Sequence, residues 1–132
     1  LDPVVGMLSF SNFGDNDRPE SRKVREAVRI LNEEHPELDV DGEMHADVAI
    51  MPGECVHAVP DCRVRGRANV LVFPDMQSGN IAFKLVGQMG QAEVIGPLLL
   101  GLKQPINVVS TQSTVAEIVN MGAISAYEVG RP

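Results

Sequence analysis

Short apolar runs alternate with amphipathic stretches along this chain, and their order predicts strands that alternate with helices. The runs at residues 4–10 (VVGMLSF) and 70–73 (VLVF) are short and rich in β-branched residues, as buried strands are. We predict a last strand at residues 106–109 (INVV). We also assign the apolar run at residues 93–100 (EVIGPLLL) to a strand, although Gly96-Pro97 interrupts it.

Three amphipathic segments predict helices. The first begins near Asp17 and Pro19 and ends before Pro36, because the residue that precedes a proline disfavours helix. The second begins at Ile81. The third follows a capping box, with Thr114 at the N-cap and Glu117 three residues later, and ends at Gly130. The predicted apolar faces are Val24, Ala27, Val28 and Leu31; Ile81, Ala82, Leu85, Val86 and Met89; and Val115, Ile118, Val119, Gly122, Ala123 and Ala126.

Residues 38–50 (LDVDGEMHADVAI) are rich in acidic side chains, which raises the question of a calcium site. The spacing does not fit an EF-hand loop, because the glutamate needed later in that loop is absent. We therefore predict that Asp39, Asp41 and Glu43 edge a short strand, with a turn at Gly42. Residues 47–50 begin an apolar segment that fits a helix or a strand equally well.

Residues 51–67 are the least regular part of the chain. Cys55, His57 and Cys62 are metal-ligand types, but C-x-H-x4-C is not a zinc-ribbon spacing, so we predict no metal site. Arg63, Arg65 and Arg67 alternate and would share one side of an extended segment. They form either an anion site or a solvated edge.

The order of elements predicts an α/β layered fold with a mostly parallel sheet. In such sheets ligands bind beyond the carboxyl ends of the strands, where we predict polar loops at residues 75–80 and 110–114. The backbone N–H groups at a helix N-terminus there can hold an anion, although a turn with a capping Asp or Ser explains residues 75–80 as well. The candidate ligand-binding residues are Asp75, Gln77, Ser78, Gly79, Asn80, Ser110, Thr111 and Ser113.

Composition narrows the function classes. A formal net charge of −7 disfavours nucleic acid or an acidic membrane surface as a partner, and no apolar run reaches membrane-spanning length. Two cysteines without a disulfide framework suggest a reducing, cytoplasmic compartment. The chain begins at Leu1, directly before a strand, as if it were cut from something longer.

Common catalytic signatures are missing from the sequence. There is no G-x-G-x-x-G, no phosphate-binding G-x-x-x-x-G-K-[ST] and no G-x-S-x-G nucleophile elbow. His35, His45 and His57 lie in separate regions without a nucleophile nearby in the sequence. From the residues alone, the chain is an α/β domain with an anion-tolerant loop.

Three blocks resemble a known family: ANVLVFPDMQSGNIAFKLV (68–86), AEVIGPLLLGLKQPINVVS (92–110) and EIVNMGAISA (117–126). They are similar to the C-terminal part of the phosphate acetyltransferase/phosphate butyryltransferase family. The resemblance implies a three-layer α/β/α architecture related to isocitrate and isopropylmalate dehydrogenases, of which residues 1–132 are a part. It places residues 1 to about 90 in one subdomain and about 91 to 132 in the returning part of the other. The family's CoA and acyl-phosphate site lies in the cleft between them.

Particular residues separate two branches of this family. SFSNFG (9–14) and DGEMHADVA (41–49) resemble the acetyltransferase-like domain fused to NADP-dependent malic enzymes. The transferases carry Ser-Arg-Gly where this chain has Ser110-Thr111, with an acid in the following helix, to which Glu117 corresponds. A hydroxyl cannot replace the permanent charge and bidentate fork of an arginine. Ser110, Thr111 and Glu117 thus resemble a degenerate transferase site.

The resemblance therefore implies a regulatory and oligomerisation portion of an NADP-dependent malic enzyme, which binds acetyl-CoA without acyl transfer. The parent would decarboxylate malate to pyruvate with NADP and Mg²⁺ or Mn²⁺ on a domain outside this chain. The expected partners are the rest of the polypeptide, further copies of it and acetyl-CoA. One alternative is a fragment of an active phosphate acetyltransferase, and the other is a purely structural oligomerisation module.

Overall fold

The structure, a computed structural model, describes residues 2–65 and 67–130. Its strands are Val4–Leu8 (β1), Asp39–Met44 (β2) and Val70–Val72 (β3). Its helices are Pro19–Glu34 (α1), Ala46–Ile50 (α2), Glu54–Ala58 (α3), Met76–Met89 (α4) and Val115–Val129 (α5). This is the predicted α/β fold. The chain divides into two compact units, Leu1–Lys84 and Leu85–Pro132, and the family-derived boundary near residue 90 stays a prediction.

A three-stranded parallel sheet organises the first unit, in the order β2-β1-β3. Successive side chains of β1 point to opposite faces, and both faces are covered. Val5 and Met7 pack with Val40 and with Val24 and Val28 of α1. Leu8 packs in a second cluster with Met44, Val48 and Ala49. The predictions of a first strand buried on both faces and of an amphipathic first helix are confirmed.

Strand β2 differs from its prediction. It shows no turn at Gly42 but continues to Met44, and its pairing with β1 shifts from Met7↔Gly42 to Leu8↔Met44. Glu43 therefore has no partner residue in β1. Its side chain is fully buried, not at an edge. A sequence-local pattern cannot reveal such a shift, because it arises from pairing between strands.

Strand β3 and helix α4 also depart from expectation. The residues of β3 are 37–42% exposed, so the prediction of a buried strand is wrong here. Helix α4 begins at Met76, five residues before the predicted start at Ile81. Residues 76–80 are therefore helical, and the predicted polar loop reduces to Phe73–Asp75 ahead of the helix.

Cys55 and Cys62 form a disulfide, so the expectation of two unpaired thiols is wrong. Both residues are buried in the cluster that contains Leu8 and Met44. Spatial proximity decides this pairing, which the spacing in the sequence does not show. The cysteines consequently no longer indicate a reducing compartment. Asp47–Ile50, left open between helix and strand, belongs to helix α2.

The second unit has no strand within its described residues, so the strands predicted at residues 93–100 and 106–109 are wrong here. A strand needs a neighbour to complete its hydrogen bonds, and no described strand pairs with either segment. Helix α5 has the predicted capping box and the predicted end at Gly130. Its predicted buried face is wrong: Val115 is 79% exposed, and the buried residue is Met121. None of the described helices is long and apolar enough to span a membrane.

Candidate functional site

The carboxyl ends of three parallel strands meet at one edge of the sheet in the first unit, where α/β proteins place ligands. Three segments follow these ends: residues 9–18 after β1, His45 after β2, and residues 73–75 after β3. Helix α1 borders the same edge, because its Lys23 ammonium donates to the Pro74 carbonyl. This edge is the candidate functional site of the first unit.

Glu43 is the centre of a buried hydrogen-bond network at this edge. Its carboxylate accepts from the Ser11 hydroxyl at 2.8 Å and from the Gly14 N–H at 2.9 Å. The Arg25 guanidinium donates to both carboxylate oxygens, from Nε at 3.0 Å and from Nη2 at 2.9 Å. One side-chain donor, one backbone donor and a bidentate guanidinium thus compensate for the burial of the charge.

These contacts determine the protonation state of Glu43. Burial raises the pKa of its carboxyl, but the Arg25 guanidinium and the Ser11 and Gly14 donors lower it more, so the pKa lies below its ordinary value. The pKa of Asp15 is also lowered, by the Asn12 N–H and the Ser11 hydroxyl. Glu43 is therefore ionised at neutral pH. It anchors the loop after β1 and is not a proton donor.

His45 is fixed by the same loop. The Asn12 side-chain oxygen accepts from the His45 backbone N–H at 2.7 Å, which turns the Asn12 NH₂ group toward His45 Nδ1 at 2.9 Å. His45 Nε2 lies 2.8 Å from the Phe10 carbonyl. This pattern assigns the tautomer in which Nε2 carries the hydrogen and Nδ1 accepts. Both ring nitrogens are occupied, so His45 holds the loop and is not a free general base.

Asp75 caps helix α4. Its carboxylate accepts from the Ser78 N–H at 2.7 Å, and the Ser78 hydroxyl donates back to the Asp75 carbonyl at 3.1 Å. The Ser78 N–H lowers the pKa of Asp75 most, and Lys23 contributes. A carboxylate thus already occupies part of this helix N-terminus, which agrees with the capping interpretation of the segment. Gln77, Ser78, Gly79 and Asn80 lie in the first turns of α4, and their role toward a ligand stays a prediction.

The second group of predicted residues forms a turn ahead of α5. The Ser113 N–H donates to the Ser110 carbonyl, and the Ser110 N–H donates to the Ser113 hydroxyl, each at 3.1 Å. The Ser110 hydroxyl accepts from the Gln112 N–H. Glu117 accepts from the Thr114 N–H at 2.6 Å and from its hydroxyl at 3.1 Å. Ser110 and Glu117 therefore serve the turn and the cap, and Thr111 is exposed.

The structure places the predicted site residues in two groups. Ser110, Thr111, Ser113 and Glu117 lie together at the start of α5, and residues 75–80 lie in the first unit apart from them in the sequence. The shared cleft expected from the family resemblance stays a prediction. The described residues contain no cluster of three His, Cys, Asp or Glu side chains that would hold a metal ion.

Sequence reasoning missed the network of Ser11, Arg25 and Glu43 as part of a site. The sequence pattern predicts Glu43 at the edge of a strand and places Arg25 outside the apolar face of the first helix. Two of these residues carried a local signal, because Ser11 in SFSNFG and Glu43 in DGEMH are polar residues at the ends of apolar strands, whereas Arg25 lies in helix α1.

Comparison with known proteins agrees with this architecture. Residues 1–126 match the family described as phosphate acetyl/butaryl transferase. The chain is 40% identical over 128 residues to the phosphate acetyltransferase of Bacillus subtilis, covering 97% of this chain and 40% of that protein. It is 38% identical over 129 residues to the NADP-dependent malic enzyme of Escherichia coli, covering 97% of this chain and 17% of that protein.

Solved structures give the same result. A phosphotransacetylase from Streptococcus pyogenes matches with a TM-score of 0.91 and 41% identity, over 97% of this chain and 39% of that one. The EutD phosphotransacetylase from Staphylococcus aureus matches with a TM-score of 0.89 and 37% identity, over 97% of this chain and 40% of that one. This chain thus spans well under half the length of its relatives. It belongs to the phosphate acetyl/butaryl transferase family.

Proposed function

We propose that this chain is part of the acetyltransferase-like region of an NADP-dependent malic enzyme, where it binds acetyl-CoA as a regulator without transferring the acetyl group. The observation that carries the proposal is Thr111 in the turn ahead of α5. The transferases that this segment resembles have an arginine at that place. Within the described residues 85–130, Lys103 is the one basic side chain.

The missing arginine matters because acyl transfer to phosphate develops negative charge. A charge-stabilising donor removed from an active site typically costs about 10²–10³ in rate. The two remaining residues of the expected constellation also have local duties, since Ser110 supports the turn and Glu117 caps α5. A site with these three side chains suits the binding of polar groups better than catalysis of their transfer.

The parent protein in this proposal decarboxylates malate oxidatively to pyruvate. NADP and a divalent cation, Mg²⁺ or Mn²⁺, would act on a domain outside this chain. The parent would be a cytoplasmic homo-oligomer, and acetyl-CoA would change its activity by binding its conformational states unequally. Support for the malic enzyme branch comes from the SFSNFG and DGEMHADVA segments, since the identities to the two kinds of relative are equal within a few per cent.

The proposal is tested on the full-length polypeptide that contains this sequence. Acetyl phosphate formation from acetyl-CoA and phosphate is measured beside malate-dependent NADPH formation at increasing acetyl-CoA. We expect negligible acetyl phosphate and an acetyl-CoA-dependent change in NADPH formation. The Bacillus subtilis phosphate acetyltransferase serves as the positive control for transfer.

A second candidate, an active phosphate acetyltransferase, is favoured by the retention of Ser110 and Glu117. Robust acetyl phosphate formation by the wild-type protein would establish it and overturn the proposal. A protein with neither transfer nor acetyl-CoA binding in a titration would instead be a structural oligomerisation module. The substitution Thr111→Arg restores only the missing positive charge. Acetyl phosphate formation by this variant would show that the charge alone was missing, and its absence would show that more of the transferase site is lost.

The location of the acetyl-CoA site has its own test. Ser110→Ala and Asn80→Ala should each raise the acetyl-CoA concentration needed for half of the effect on NADPH formation. Gln91→Ala, an exposed substitution outside the predicted site, is the control. An unchanged half-effect concentration in both site variants would place the regulatory site elsewhere.

A further inference from the structure

We propose a second anion site in the first unit, a groove in which Arg65 and Arg67 bind the phosphate group of a small phosphorylated ligand. The groove has a volume of about 500 Å³ and is lined by Val4 and Asp39, the first residues of β1 and β2, and by the segment that follows the disulfide. It lies at the amino ends of these parallel strands. The candidate site described above lies at their carboxyl ends, so the two are distinct.

One of the three arginines of this segment is fixed by the protein itself. The Arg63 backbone N–H donates to Asp41 at 2.8 Å, and its guanidinium donates to the Pro36 carbonyl at 2.8 Å and to the Asn32 side chain. These contacts tie the segment to β2 and to the end of α1. Arg63 therefore holds the groove in shape.

The other two arginines have unused donors. Arg65 and Arg67 are exposed, and neither side chain forms a hydrogen bond or an ion pair with another described residue. Asp39 and Asp61 also line the groove, but neither pairs with an arginine there. Three guanidinium groups against two carboxylates give this groove a positive balance in a chain whose net charge is −7.

The backbone at Arg65 adds an independent observation. Its φ of 53° lies in the left-handed region, which residues other than glycine seldom adopt. Backbone conformations of this kind persist where surrounding structure imposes them, and they concentrate at ligand-binding sites. Arg65 lines the groove three residues after the disulfide-bonded Cys62 and two residues after Arg63, which is held by its contacts.

The chemistry of two free guanidinium groups favours phosphate over other anions. Each guanidinium presents a planar fork that matches two phosphate oxygens, and it stays charged at all physiological pH values. A phosphate monoester carries nearly two negative charges and three acceptor oxygens, enough for both forks.

The test uses the full-length polypeptide with saturating acetyl-CoA present, so that the proposed regulatory site is already occupied. Inorganic phosphate is titrated at constant ionic strength, and its binding is followed by broadening of the phosphorus-31 resonance. We expect saturable binding that weakens at least tenfold in the Arg65→Ala/Arg67→Ala double variant. Both side chains are exposed, and an unchanged thermal midpoint verifies that the variant is folded.

Arg29→Ala is the matched control, since Arg29 is also exposed but already pairs with Glu26 and Glu33. It should leave phosphate binding unchanged. Glycerol 3-phosphate as a second titrant shows whether the ligand is an ester or the free anion, and malonate shows whether phosphate is preferred over carboxylate. The proposal would be overturned if phosphate did not bind, or if the double variant bound it as tightly as the wild type. It would also be overturned if Arg29→Ala weakened binding equally, or if the protein preferred malonate. The comparison of the wild type with the double variant tests the groove alone, because both proteins have the same proposed acetyl-CoA site, so failure of this proposal and failure of the proposed function are distinguishable.

Discussion

Glu43 is the residue on which the carboxyl edge of the sheet depends. Its side chain has no exposed surface, yet it carries a charge that the Arg25 guanidinium balances and that Ser11 and Gly14 stabilise by hydrogen bonds. Removing one partner of such a pair leaves a buried charge without compensation, and this costs more than the pair contributes when it is intact. The network is therefore sensitive to single substitutions.

Arg25→Ala should loosen the loop after β1. We expect the loss in the free energy of unfolding to stay below the full cost for a buried pair, because the Arg25 side chain is 41% exposed and water replaces part of its contribution. Hydrogen exchange of a peptide covering residues 9–18 measures the effect locally, and exchange there should accelerate. Arg29→Ala, which removes two surface ion pairs, should leave that peptide unchanged. Equal exchange in both variants would contradict the anchoring role of Glu43.

The lowered pKa of Glu43 predicts a pH dependence of stability. A carboxyl whose pKa is lower in the folded than in the unfolded state stabilises the fold above its unfolded pKa, about 4.3 for Glu. That contribution disappears as the pH falls from there through the folded-state pKa. We therefore expect the urea concentration at the unfolding midpoint to decline as the pH falls from about 7 to about 3. The decline should be less steep in the Glu43→Gln variant than in the wild type. Parallel declines in the two proteins would contradict the assignment.

At the scale of elements, the pairing of β1 with β2 requires a glycine at position 42. A Cβ added there would lie 2.5 Å from the Met7 carbonyl oxygen, and the φ of Gly42 is 141°, which other residues seldom adopt. The close approach of the two backbones at this point leads directly into the shift that turns Glu43 inward.

Gly42→Ala should therefore destabilise the first unit by about 2–4 kcal/mol, from a steric collision added to backbone strain. Gly53→Ala is the control, because the φ of Gly53 is 93° but nothing lies within 4 Å of an added Cβ. It should cost only about 1 kcal/mol. Urea unfolding of both variants tests the difference, and equal losses would show that strain alone matters.

At the scale of the whole molecule, each unit leaves large apolar side chains uncovered. The apolar residues of strand β3 in the first unit and of helix α5 in the second were predicted to be buried, but most of them are exposed. Apolar patches of this kind in a soluble protein mark surfaces that another chain or segment covers. This agrees with a chain that spans 40% or less of its relatives' length.

We therefore expect that residues 1–132 produced alone do not form a cooperative monomer. Burying the exposed side chains of α5 and β3 by self-association lowers the free energy, since each buried Val or Ile contributes about 1.5–3 kcal/mol. Sedimentation velocity at micromolar concentration measures this, with the full-length polypeptide as reference. A single monomeric species with one sharp unfolding transition would contradict the expectation.

The sequence by itself determined the elements whose signals are local. Three elements were predicted from residues only a few positions apart, and all three are present. They are the apolar run of β1, the apolar stripe and proline-bounded ends of α1, and the capping box and terminal glycine of α5. The blocks at residues 68–126 likewise identified the family, because they preserve local motifs.

Only the tertiary structure decided which polar and apolar residues are buried. Glu43 turns inward because β2 shifts its register against β1, and Cys55 meets Cys62 because the intervening chain folds back. The residues of β3, and those at 93–109, are as apolar as true core strands, yet they are exposed or unpaired here. Burial and strand pairing depend on contacts between segments that are distant in the sequence. An apolar run indicates that its residues can be buried, but it does not indicate which segment buries them.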